Sequence, residues 1–100
     1  MAIQVTEATK IYVDDIGTVI DIEMHRDISA ATELVLHVRK PNGEEKKWIP
    51  WIEGTTKLRY FTVEGDLNVA GIYYIQPEIR LGSWWGFCKT TSVTVSEKYA

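Results

Sequence analysis

Apolar and polar side chains alternate with a period of two along most of the chain. No stretch of ten residues keeps a helical period, apart from a single turn expected at Leu67–Ala70. Ile20, Ile22 and Met24 alternate with Val19, Asp21, Glu23 and His25, which predicts a strand with one dry and one wet face. Leu34, Leu36 and Val38 repeat the pattern against Glu33, Val35, His37 and Arg39. Pro41-Asn42-Gly43 then combines a fixed φ with residues that tolerate positive φ, so the chain should reverse there into a hairpin. The returning strand, Lys46–Glu53, puts Trp48, Pro50 and Ile52 on one side; Pro50 cannot donate to a ladder, so this strand belongs at an edge or carries a bulge.

After a turn at Gly54-Thr55-Thr56, Leu58, Tyr60 and Thr62 alternate with Lys57, Arg59 and Phe61. From Gly71 onward, Tyr73, Ile75, Pro77 and Ile79 face one way, and Ile72, Tyr74, Gln76, Glu78 and Arg80 the other. Gly82–Gly86 is expected as the last hairpin loop, carrying Trp84 and Trp85, before a strand that holds Val93 and Val95. With a short strand at Ile11–Val13, the reading is about seven antiparallel strands in one all-β domain, residues 1–100, of the immunoglobulin-like sandwich type. Asp66–Tyr73 resembles the corner that enters the sixth strand of such domains, where a tyrosine hydroxyl bonds back to upstream backbone; Tyr73 would take that role. Two residues on, antibody domains carry a cysteine, but here Ile75 is expected to pack against Ile22. With one cysteine, Cys88, there is no internal disulfide.

Composition narrows the function more than it alters the fold. Eleven Lys and Arg against fourteen Asp and Glu give a net charge of −3, which argues against a phosphate-backbone binder and leaves no nucleic-acid partner expected. Residues 1–38 are acidic and the remainder mildly basic, an asymmetry that would favour head-to-tail contact between copies. The N-terminus has no basic start and no long apolar run, so no signal peptide is expected, and no segment has the length of a membrane span.

Little in the chain suggests catalysis. His25 and His37 fall on predicted outward faces, Cys88 reads as a small hydrophobe, and Asp14-Asp15 and Glu64-Gly65-Asp66 lack the spacing of a calcium loop. Asp14–Gly17 reads as a turn in which an aspartate accepts from nearby backbone. No catalytic residue, metal or cofactor is therefore expected. The aromatic residues carry more information, because four tryptophans cannot all be inside. Trp48 and Tyr73 are core candidates, while Trp51, Tyr74, Trp84 and Trp85 are candidate contacts to a protein partner. The competing reading has Trp85 folding back over the open end of the sandwich.

Asp27-Ile28-Ser29-Ala30-Ala31-Thr32, a strand, and then Lys40-Pro41-Asn42-Gly43 resemble the N-terminal domain of phage baseplate upper proteins and small immunoglobulin-like proteins of phage and prophage tail regions. The opening Lys10–Thr18 is similar to such sequences, and the likeness extends over the first half of the chain plus the Gly71-Ile72-Tyr73 corner; Ala30 stands where that pattern has glycine. The resemblance implies a non-enzymatic tail, baseplate or virion accessory protein. It would be assembled in the bacterial cytoplasm and would bind other virion proteins or itself. The alternative is a carbohydrate-binding or adhesion module using the exposed aromatics.

Overall fold

The structure, a computed structural model, describes residues 10–100. The N-terminal segment on which the signal-peptide expectation rests lies outside the described residues. Among them are nine strand segments and no helix: β1 (Ile11–Tyr12), β2 (Val19–Glu23), β3 (Glu33–Arg39), β4 (Glu45–Trp48), β5 (Trp51–Glu53), β6 (Lys57–Phe61), β7 (Gly71–Leu81), β8 (Trp84–Phe87) and β9 (Thr91–Ser96). They form two sheets. The larger runs β1-β9-β7-β3-β4, with β8 also on β7; the smaller runs β2-β6-β5. β1 lies parallel to β9, and the remaining pairings are antiparallel.

The alternation in sequence becomes alternation in space, because successive side chains of a strand point to opposite faces. On β7, Tyr73, Ile75, Pro77 and Ile79 are all buried. Tyr73, Ile75 and Ile79 join Leu36, Val38, Val93 and Val95 of the larger sheet and Ile20, Ile22 and Leu58 of the smaller sheet in one apolar cluster, a sandwich-like arrangement of two sheets on a shared core. Each large aliphatic side chain buried there contributes roughly 1.5–3 kcal/mol. Trp48 of the larger sheet stacks on Tyr60 of the smaller at 4.8 Å. Ile22 and Ile75 are both fully buried in this cluster, and Cys88 is a free, half-buried thiol packed against it.

Tyr73 is buried, and its hydroxyl donates to the Val69 carbonyl at 2.6 Å while accepting from the Val69 N–H at 3.2 Å. Burial pushes the phenol above its ordinary pKa. A second set of bonds ties the β3–β4 turn to the approach to β7. Lys40 is buried, and its ammonium reaches the Gly65 carbonyl (2.9 Å), Asn68 Oδ1 (2.8 Å) and Glu44 Oε1 (3.5 Å). Next to it, Gly71 at φ 132° leaves room for Pro41, whose ring lies 2.6 Å from where a Cβ would stand.

The structure revises five local expectations. The first strand, expected antiparallel like the rest, runs parallel to β9. The strand expected over Lys46–Glu53 is interrupted at Ile49–Pro50, and its halves join different sheets. Trp84 and Trp85 lie in β8 rather than in a loop, because Gly82-Ser83 alone makes the turn. These two changes turn seven expected strands into nine segments. The turn near Leu67 is not helical and covers Glu64–Leu67. His25 lies past the end of β2 at φ 57°, its N–H held by the Glu23 carboxylate at 2.8 Å, so it belongs to a bend rather than to a strand face. At the first loop, Asp15 does accept from backbone, taking the Tyr12 N–H at 2.9 Å.

Candidate functional site

Register assigns each outward side chain to a row on the larger sheet, since cross-strand partners share a face. Trp85 stands beside Arg80, whose guanidinium lies over the indole at 5.2 Å, and Phe87 stands beside Glu78. The next row is Lys47–His37–Gln76, and the one after it Glu45–Arg39–Tyr74. Phe87 and His37 approach ring to ring at 5.3 Å, and His37 Nε2 is 2.7 Å from Glu78 Oε1. Trp85, Phe87 and Tyr74 are 58, 56 and 49% exposed, so one sheet face carries three large wetted aromatics.

A strand irregularity shapes this face. Between β8 and β9 the three residues 88–90 oppose only Gln76 and Pro77 of β7, one residue too many for a continuous ladder. Pro77 has no N–H to give, but its carbonyl accepts the Cys88 N–H at 2.8 Å, and the Gln76 side-chain amide donates to the Cys88 carbonyl at 3.1 Å. Beyond the bulge, the outward residues of β9 are Ser92 and Thr94, which are too small to cover Tyr74. The result is a depression of about 630 Å³ whose lining includes His37, Arg39, Glu45, Lys47, Tyr74, Gln76 and Thr90. Among the described residues, Arg39, Glu45 and Lys47 make no side-chain hydrogen bond or ion pair.

The smaller sheet places Trp51 on its own outward face, away from Tyr74 and Trp85. Trp51 is 42% exposed, meets Phe61 edge-on at 5.0 Å, and donates from Nε1 to Glu53 at 3.3 Å. Its charged neighbours are engaged. Arg59 forks onto Asp21 at 2.7 and 2.9 Å and reaches Glu53 at 3.5 Å, and the Asp21 hydrogen bond raises its pKa above the ordinary value. Trp84, 44% exposed, is paired with Leu81 on the inward side of β8 and packs over Gly86, where a Cβ would stand 2.8 Å from the indole. Arg26 lies 5.9 Å from the Trp84 ring. It is thus Trp84, not Trp85, that turns toward the open side of the sandwich.

The four contact residues expected from sequence therefore divide into Tyr74 and Trp85 on one face, Trp51 on the other, and Trp84 at the inner edge. Phe87, His37 and Arg39 join the first group through register, a signal that becomes readable only once Trp84–Phe87 is assigned to a strand. No set of three or more His, Cys, Asp or Glu suited to a metal is present among the described residues. No helix among them is long and apolar enough to cross a membrane. No protein-family model, curated protein or solved structure matches the chain significantly.

Proposed function

We propose that the chain is a non-enzymatic interaction module: an immunoglobulin-like sandwich that serves as an adaptor in a phage or prophage virion, at the tail or baseplate, assembled in the host cytoplasm. The observation that carries this reading is the placement of exposed aromatics on both outward sheet faces, Trp85 with Phe87 on the larger and Trp51 with Phe61 on the smaller. Large exposed aromatics of this kind anchor protein interfaces, and two such patches on separate faces suit a subunit held between two neighbours. The strand order β1-β9-β7-β3-β4 beside β2-β6-β5, together with the Tyr73 bond to Val69, supports the immunoglobulin-like assignment.

Light scattering behind size exclusion over a wide concentration range tests the self-association arm. A discrete oligomer that is lost in W85A/F87A or W51A/F61A, with unchanged thermal unfolding, is the expected result. Immunogold labelling of purified tailed particles tests the virion arm, and unlabelled particles would overturn it. A strict monomer that also fails to label particles removes both arms.

A further inference from the structure

We infer that the depression on the larger sheet is a binding site for a carboxylate-bearing saccharide, a uronic-acid-type sugar. This site adjoins the Trp85–Phe87 patch, with His37 bordering both, and goes beyond the adaptor reading. Its volume of about 630 Å³ lies within the roughly 300–1,000 Å³ range of small-ligand sites. Charge sets the class. Arg39, Lys46 and Lys47 line it against one carboxylate, Glu45, while the nearby Glu78 is occupied by His37. Lys46 is also partnered, by Glu44 at 3.4 Å, which leaves Arg39 and Lys47 as the cations without a partner among the described residues. A planar guanidinium left free on a sheet face is the geometry that takes a carboxylate through two parallel hydrogen bonds.

Two further features select a sugar over an acidic peptide. Tyr74 is half exposed beside Arg39, with only Ser92 on its other flank, so its ring is open for an apolar sugar face to pack against. Glu45, cross-strand from Arg39, is an acceptor without an internal donor. It would accept from a sugar hydroxyl, a donor that the ionised side chains of an acidic peptide lack. Gln76 and Thr90 complete a mixed donor and acceptor lining. In this arrangement Arg39 holds the carboxylate, Tyr74 the ring, and Glu45 a hydroxyl.

Calorimetric titration of the full chain with a tetraglucuronate, a neutral glucose tetrasaccharide and hexaglutamate, at low and at physiological salt, tests the assignment. The expected result is that the uronate binds about tenfold or more tightly than either competitor, a difference of about 1.4 kcal/mol. R39A and Y74A should each weaken it by a similar factor, and R39K should recover only part of the loss because lysine cannot fork. Circular dichroism melting should be unchanged in all three variants. Equal affinity for the neutral sugar, binding that survives R39A, or no binding of the uronate would overturn the site. Hexaglutamate binding as tightly as the uronate would replace it with an acidic-peptide site. The oligomeric state is read separately, so a monomer that binds uronate removes self-association and leaves this site standing.

Discussion

The two outward sheet faces are built from the same alternation, yet they use their charges differently. On the smaller sheet Asp21, Arg59 and Glu53 form one internal network, and Glu23 accepts from Thr56 and from the His25 backbone. On the larger sheet Arg39, Glu45 and Lys47 stand free among the described residues around an open tyrosine. The closed face has its polar groups satisfied by the protein itself and therefore contributes to stability. The open face leaves the same kinds of groups to water or to a ligand, and it contributes recognition instead. Neither charge count nor register separates them, since Arg39 stands opposite Glu45 as Arg59 stands opposite Asp21; the difference is that only the second pair closes into a salt bridge.

The strongest way to break that contrast is to remove the network's cation. R59A leaves Asp21, which is 7% exposed, without its guanidinium, and should give the largest fall in the urea denaturation midpoint. A midpoint no lower than that of R39A would mean that the closed face is no more structural than the open one. Y73F comes next. It removes both bonds to Val69 inside the core and should cost about 1–2 kcal/mol.

A pH series sharpens the comparison further. Burial, reinforced by Asp66 at 2.5 Å, raises the Tyr60 pKa above its ordinary value of 10.0, and burial raises Tyr73 as well. The folded state holds these protons more tightly than the unfolded chain, so their stabilisation is complete below pH 10 and is lost as pH rises beyond it. Denaturation midpoints should fall from about pH 10 upward, and Y60F should flatten that decline. The smallest effect belongs to the open face: R39A should shift stability by less than about 0.5 kcal/mol, because nothing inside the protein depends on that guanidinium.

Much of this architecture was legible because period two is a direct readout of faces. The inward set Tyr73, Ile75, Pro77 and Ile79 follows from the alternation alone, as does the burial of Trp48. What could not be read depended on pairing partners. Gly82 and Gly86 bracket Trp84 and Trp85 like a loop, but only Gly82 lies in the turn, while Gly86 is a strand residue whose missing side chain seats the Trp84 indole. Pro50 signalled an irregular strand but not that its two halves join different sheets. The site itself depends on the extra residue at 88–90, and a single sequence carries no mark of which strand will oppose a given proline.

The crossing at Pro50 also has a mechanical consequence. β4, which borders the depression, and β5, which carries Trp51, belong to different sheets but are joined by only Ile49 and Pro50. Tension applied between the two outward faces would reach the backbone after two residues and would not rest on side-chain packing alone. Along that flank the layers can slip only as far as rotation about the Ile49 and Pro50 backbone allows, so the sandwich should yield to shear more readily on the flank away from the crossing.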